Sequence, residues 1–530
     1  MMLDVVIVGG GVCGLALARD LAKAGTSVAV FEARERLGGR VLSVLDQASG
    51  ARLDLGPTWY WPDTQPVVTR LVDELELESF DQHDTGAALL LADGEKKPET
   101  RSTPRLHAGA RRLEGGMASL VEALAAAVPP EAIRLGWVLR VAFDRGDHVE
   151  LQFEAEGERR FITARRAVLA VPPRLLDEHV SFEPPLDVVT SDALRAAPTW
   201  MAAQAKALIG YAGEPAWRAD GHSGNAFVTH EQAVLGEIFD ACDARGARAA
   251  LGGFFALSAE WRQAFQVGLS MLVESQFVQL FGKAVENGEQ HVQDWATEPF
   301  TCASLDRTPP TDLPEYGDPL LRRALMGGKL FFGASETARE GGGYLEGALV
   351  AARRIGLQLL EQREDEIMAP GTSDRSSPDS LNGSSIERFR EWVASKRGPA
   401  FANYRQRLNF SLSNGQREQL TQRAMLGSME AVFKEALTVI QSLPFDHADV
   451  GVERGRSDLT PQVQKAFEGF IQELLDQVVE FNRTSCALSN FPEEHRLAKD
   501  YIGVTLADVA AAWREFSLDA NRILLEKRVC

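Results

Sequence analysis

The segment Leu3–Glu32 constrains this chain more than any other. Residues 3–8 are a short run rich in Val that ends in Gly9-Gly10-Gly11, and it reads as a buried parallel strand meeting a tight turn. From Gly14 to Ala24 the chain carries Leu15, Leu17, Ala18, Leu21 and Ala22, an apolar set suited to a helix laid closely on a sheet, and Gly25 ends it. Ser27 to Glu32 reads as a second strand. Gly9, Gly11 and Gly14 have the G-x-G-x-x-G spacing of a dinucleotide-binding βαβ turn. The first glycine permits the turn, the second lets backbone approach a pyrophosphate, and the third lets helix and strand pack closely, with the helix N-terminus facing the anion. Glu32 closes the second strand where a carboxylate can accept hydrogen bonds from ribose hydroxyls. A glycine triplet alone matches many turns by chance; its place between two strands, with the acidic residue following, makes it specific. The alternative is a strand-turn-helix that holds no nucleotide.

At 530 residues the chain exceeds what one hydrophobic core usually organises, so two or three domains are expected. Its 75 Asp and Glu outnumber 56 Lys and Arg, for a net charge of -19, which argues against a nucleic-acid partner. Cys13, Cys242, Cys302, Cys486 and Cys530 are scattered, without the C-x-x-C spacing of a disulfide framework or a metal site. A reducing cytoplasm is the expected compartment. The N-terminus lacks a basic region, and its apolar run leads into glycines that signal-peptide cleavage would remove. No run of about 18 apolar residues suggests a membrane helix, and Cys530 is last rather than fourth from the end, as prenylation requires. No membrane association is expected.

Met368 to Ser385 is rich in Ser, Pro, Gly and Asp without apolar periodicity, which reads as a linker. Helical patterns follow. One begins at Thr460-Pro461 and runs through Val463, Phe467, Phe470, Leu474, Val478 and Phe481; others carry Met425 to Ile440 and Leu506 to Ile523, and a shorter one opens near Ser384 with Glu387 in capping-box spacing.

After the first βαβ unit come Glu32-Ala33-Arg34-Glu35-Arg36-Leu37-Gly38-Gly39-Arg40 and Asp54-Leu55-Gly56-Pro57-Thr58-Trp59. Further on are Glu114-Gly115-Gly116-Met117, Ala167 to Pro172, Lys206 to Arg218, Leu330 to Thr337, and Gly342-Gly343-Tyr344-Leu345-Glu346-Gly347-Ala348. In this order they resemble the motifs of the flavin-containing amine oxidases, a family that includes monoamine, polyamine and L-amino acid oxidases. The resemblance covers roughly residues 1–362, and no family is apparent for the helical C-terminal part.

The resemblance implies an FAD cofactor held by Gly9, Gly11, Gly14, Glu32, Arg34, Gly39 and Arg40 at its nucleotide end. Gly56, Pro57, Thr58, Trp59, Val138, Trp295, Ser335, Glu336, Gly343, Tyr344, Leu345 and Ala348 would hold the rest. It makes Lys206 the catalytic candidate, holding a water near the flavin; the plainer reading is a lysine snorkelling to the surface. Tyr344 would form one wall of an aromatic cage, or else merely pack at a helix start. Registering Trp295 and Tyr316 with the family's pattern puts the second wall near Ser304 or Leu305, neither aromatic, a departure from the family that favours a bulkier or differently oriented substrate, with Phe300 as a substitute wall. Cys302 invites a covalent flavin link by resemblance to members with a cysteinyl flavin in this region, but the same register puts that position nearer Ser304, so FAD is expected to be non-covalent.

The expected fold is α/β. A Rossmann-type FAD domain is assembled from residues 1–75, 106–185 and 295–362, with an inserted α+β substrate domain (76–105 and 186–294), a linker (363–384) and an all-α domain (385–530). The expected activity is oxidation of an amine or amino acid to an imine, with O2 as electron acceptor and H2O2 as product. Two other readings stand: a carbon-carbon desaturase or porphyrinogen-type oxidase, and a flavin-binding scaffold whose helical domain meets a partner. The interval Asp81 to Glu114 is too short for the helical cover found in monoamine oxidases. The C-terminal helices are therefore expected to roof the active-site entrance. The rival roles are a homodimerisation module and a docking site for another protein.

Overall fold

The computed structural model describes residues 2–102, 107–308, 310, 314–367, 378–413, 419–443, 445, 452–453, 456–484 and 499–526. The described residues up to Ile367 form one compact unit and those beyond it a second. The architecture is the expected one, with a Rossmann-type sheet, a second mixed sheet and a helical C-terminal part.

In the first, eight-stranded sheet, Leu3–Val8 lies at the centre, parallel to Glu158–Leu169 on one side and Val28–Phe31 on the other. Its side chains alternate between two cores. Ile7 packs beneath the helix Val12–Lys23, and Val6 packs with Phe153 and Leu169. Burial on both faces is why this strand reads as a continuous apolar run. Leu15 and Leu17 of that helix are fully buried, each stabilising the fold by about 1.5–3 kcal/mol. The strand Leu330–Phe332 pairs with Glu158–Leu169, so the segment that follows it, and the helix Leu345–Ile367, return to the first glycine turn.

The second sheet runs in the order Glu289–Asp294, Ala205–Tyr211, Ala249–Phe255, Leu235–Asp240, His222–Val228, Ala87–Leu91, Glu99–Arg101. One face packs beneath the helix Leu269–Phe281, through Val273 and Phe277. The other brings Leu208, Phe239 and Phe254 against Leu53, Leu55 and Trp59. The helix Val188–Ala196, expected with the substrate segments, instead packs Ala193 and Leu194 into the core of the first sheet.

The second unit holds its own core, with Phe389, Tyr404, Met429, Phe433, Phe467 and Phe516 packed among its helices. Four details differ from the sequence reading. The helix Leu345–Ile367 runs into the expected linker and the next helix opens at Pro378, well before Ser384; proline suits the first helical turn, where its missing N–H costs nothing. Residues 368–377 lie outside the described residues. The helix opening at Thr460 stops at Lys465 and resumes at Phe470, because Gly469 takes a left-handed φ of 76°. Thr460 does not cap it; its hydroxyl donates to Asn521. Among the described residues, no helix is long and apolar enough to cross a membrane.

Candidate active site

A cavity of about 620 Å³ opens between the glycine turn at one end and the strand Ala205–Tyr211 at the other. Its floor is nearly free of side chains, for different reasons at each glycine. Gly9 has φ 108°, and a Cβ there would lie 2.4 Å from the Ala170 carbonyl oxygen. At Gly14 a Cβ would lie 2.0 Å from the Gly9 oxygen, so this glycine serves helix-strand packing and lies off the cavity wall. Gly11 is the exception: nothing is nearer to its Cβ position than the Gly38 oxygen at 4.0 Å, and it faces the cavity. Gly39, with φ 58°, packs opposite it. A bare backbone floor at the N-terminus of the helix Val12–Lys23 suits a pyrophosphate.

Glu32 lines the same end, accepting from the Gly10 N–H at 2.7 Å and the Arg34 N–H at 2.9 Å, one on each oxygen. A carboxylate has about four acceptor positions, so two stay available for hydroxyls. Arg34 is pinned by Glu298 and Thr301 and lies 5.6 Å from the Phe300 ring. Phe300 thus lines the Glu32 end of the cavity and is not a wall beside Tyr344. Val138, at the start of a strand, lines the cavity too.

Arg40 also lines the cavity, but its guanidinium is held by Glu336 at 2.7 and 3.1 Å, with further bonds to the Ser335 hydroxyl and the Trp200 carbonyl. Ser335 is on the wall. Glu336 is fully buried and off it, so the expected direct cofactor contact gives way to a grip on Arg40. Burial pushes the Glu336 carboxyl up, yet Arg40's charge and hydrogen bonds outweigh this and hold it below the usual carboxylate range.

At the other end, Lys206 is buried rather than snorkelling. Its ammonium donates to the Gly56 carbonyl at 2.9 Å and to the Thr58 hydroxyl, among the rings of Phe239 at 5.1 Å, Phe254 at 5.2 Å and Trp59 at 5.7 Å. Burial lowers its pKa to about 7, opposed by the charge of Asp54. Gly56 is required here, since a Cβ would lie 2.1 Å from the Arg40 oxygen. Pro57, Thr58 and Trp59 line the cavity beside it, as does Trp295, whose indole donates to the Leu55 carbonyl.

Gly343, Tyr344, Leu345 and Ala348 line the cavity where the helix Leu345–Ile367 begins. The buried Glu346 fixes this helix by accepting from the Val67 and Val68 N–H groups. The Tyr344 ring lies 5.5 Å from that of Trp200, tilted by 34°. Rings this close are in contact, so they form one continuous aromatic wall, not two facing walls with space between them. The sequence reading missed Trp200; its signal was an aromatic six residues before Lys206. Leu305 does not stand opposite Tyr344: it is 56 % exposed and off the cavity wall. Ser304 bonds to Glu178. Cys302 is also off the wall, and burial pushes its thiol up to about 11.

His107 also escaped the sequence reading. It stacks on Trp59 at 4.6 Å and meets Asp84 at 3.1 Å and Glu237 at 3.5 Å. Burial opposes its charge, but these carboxylates prevail and raise its pKa to about 9.

Residues 12–108 and 101–355 match the model of the family described as flavin containing amine oxidoreductase. Putrescine oxidase of Kocuria rosea is 26 % identical, over 67 % of this chain and 95 % of that protein. Flavin-containing amine oxidase B of Sus scrofa is 23 % identical, over 72 % of this chain and 90 % of that protein. Among solved structures, cyclohexylamine oxidase from Brevibacterium oxydans superposes with a TM-score of 0.58 at 18 % identity, covering 69 % of this chain and all (100 %) of that one. The family match and the amine-oxidase relatives favour amine oxidation over the desaturase and scaffold readings, and the glycine floor with Glu32 fits the dinucleotide half of FAD. The chain belongs to the flavin-containing amine oxidoreductase family and is an FAD-dependent amine oxidase.

Proposed function

We propose that FAD lies along the cavity from Gly11 to Lys206, held without a covalent bond, and that a primary amine is oxidised beside Lys206 and the Trp200–Tyr344 wall, with O2 as electron acceptor. The observation that carries this reading is Lys206, a lysine buried among three aromatic rings with its pKa near 7. When bound, FAD accepts a hydride from the carbon beside the amine nitrogen. The chain's own residues prepare the substrate. Only a neutral amine has a lone pair to drive the transfer, and the apolar wall of Trp59, Phe254, Trp200 and Tyr344 disfavours the ammonium form by desolvation. Lys206, part neutral at pH 7, accepts a hydrogen bond from the water that attacks the imine carbon. In balance, the amine loses two electrons and two protons, water converts the imine to a carbonyl compound and ammonia, and O2 takes up the two electrons and two protons as H2O2.

Non-covalent binding is supported by Cys302, a protonated thiol off the cavity wall. The buried free thiols Cys13 and Cys242 support a reducing compartment, and we place the enzyme in the cytoplasm. The test is peroxide release from a panel of amines in air. Lys206→Met is expected to keep FAD and to slow turnover by about a hundredfold, the scale set by loss of a positioned proton-transfer group. Unchanged turnover in that variant would remove Lys206 from the reaction.

A further inference from the structure

Residues 197–204 join the helix Val188–Ala196 to the strand Ala205–Tyr211 and carry Trp200 to the cavity wall. Residues 198–200 lie outside helix and strand, yet every polar group of their backbone is bound, as burial demands. The Pro198 carbonyl accepts from the Tyr316 hydroxyl at 2.9 Å, the Thr199 N–H donates to Asp306 at 3.0 Å, and the Trp200 N–H donates to Glu336 at 3.3 Å. The Trp200 carbonyl accepts from Arg40 at 3.3 Å, and the Thr199 carbonyl from the Ala202 N–H at 3.2 Å. Four side chains, each from a different part of the chain, thus grip three consecutive residues.

The anchors are themselves fixed. The Asp306 side chain is only 1 % exposed, and the oxygen that takes the Thr199 N–H also accepts from Arg174 at 2.7 Å. Gly342 admits Tyr316, since a Cβ there would lie 2.5 Å from that of Tyr316. Gly343 admits the indole, since a Cβ there would lie 2.6 Å from that of Trp200. The two glycines before Tyr344 therefore leave room for an anchor and for the ring that meets Tyr344. Arg40 and Glu336 hold one another, whereas Asp306 and Tyr316 reach this segment from off the cavity wall. A loop that only connects two elements satisfies its backbone with water at the surface. Grip by buried side chains instead fixes the direction in which the segment's side chain points.

We propose that Asp306 and Tyr316 are positioning residues that hold the Trp200 ring in the substrate wall, and so set KM without touching the substrate. This rests on the amine-oxidising reading of the cavity. A supporting shell of this kind keeps a binding group within about 0.5 Å of its working place, and releasing the backbone lets the indole leave Tyr344.

The test measures oxidation of 2-phenylethylamine by the FAD-loaded enzyme, together with hydrogen exchange over residues 197–204. Tyr316→Phe removes one hydroxyl without a change of charge, and is expected to raise KM by about two- to tenfold. Asp306→Ala is expected to raise it by about three- to tenfold, as Trp200→Ala does, with kcat within about twofold and flavin content unchanged. Asp306→Asn, which keeps an acceptor for the Thr199 N–H, recovers most of that loss. In the Trp200→Ala background neither Tyr316→Phe nor Asp306→Ala is expected to change KM by more than about twofold, because the ring they position is gone. Exchange over residues 197–204 is expected to quicken by about tenfold in Asp306→Ala. Equal changes in KM with and without Trp200, or an unmoved KM in both variants, would overturn the positioning role and leave amine oxidation standing. Wild-type exchange in this segment as fast as that of an open loop would overturn the grip whatever the kinetics. A wild type whose segment is protected but which oxidises neither 2-phenylethylamine nor any other amine tried would overturn the amine-oxidising reading, and the role in KM with it.

Discussion

Two glycines of one turn separate folding from cofactor binding. A methyl group at Gly14 would lie 2.0 Å from the Gly9 oxygen and 3.2 Å from Ile7 Cγ2, both fixed by the central strand. Gly14→Ala must therefore displace the helix from the sheet, an overpacking cost of about 1–3 kcal/mol. At Gly11 a methyl group meets nothing nearer than 4.0 Å, and its φ of -80° suits any residue. The apo form of Gly11→Ala should stay within about 0.5 kcal/mol of the wild type. Its methyl group instead enters the path of the pyrophosphate. A hundredfold weaker affinity removes about 2.3 kcal/mol of stabilisation at an FAD concentration that holds the wild type a hundredfold above its Kd. Urea unfolding followed by circular dichroism, with and without FAD, reads both effects. Gly14→Ala is predicted to lower the midpoint in either condition, and Gly11→Ala only when FAD is present. A Gly11→Ala protein that binds FAD as tightly as the wild type would refute the placement of the pyrophosphate over this turn.

Arg40→Met strands the buried Glu336 carboxylate, an expected loss of about 3–5 kcal/mol in denaturant unfolding; a near-neutral result would show that the pair is dispensable. Glu336 has a depressed pKa in the folded state, so its contribution is present above the ordinary carboxylate range and lost as pH falls through the depressed value; Glu336→Gln should flatten that part of the acid-unfolding curve. Turnover should rise with pH through about 7 as Lys206 becomes neutral, and a pH–rate profile of Lys206→Met that retains this limb would assign it to another group. Trp200→Ala should raise KM by about three- to tenfold, the scale of one lost aromatic contact, with flavin content unchanged; a lost flavin instead would place Trp200 on the cofactor.

The glycine turn was legible in the sequence because its residues answer backbone demands: Gly9 and Gly14 are fixed by contacts within 2.4 Å, which only glycine satisfies. Lys206 and Tyr344 were legible through the order of the surrounding motifs. The second aromatic wall was not, because registering Trp295 and Tyr316 with the family's pattern assumes a loop of fixed shape between them. Here Ser304–Asp306 forms a short turn tied to Glu178 and Arg174, which carries Leu305 away to solvent. Glu336 sits next to wall residues in sequence, yet its side chain turns inward to a buried pair, a distinction that spacing does not encode. His107 and Glu237 meet across 130 residues of chain, and only strand pairing reveals that Glu237 shares a face with Lys206.

Anaerobic mixing of the purified flavoprotein with amines tests most directly whether electrons pass from an amine to FAD in this cavity. Bleaching of the oxidised-flavin absorbance is predicted, with one equivalent of carbonyl product per bound FAD. Absence of bleaching by every amine tried, in protein whose flavin dithionite reduces normally, would contradict the assignment.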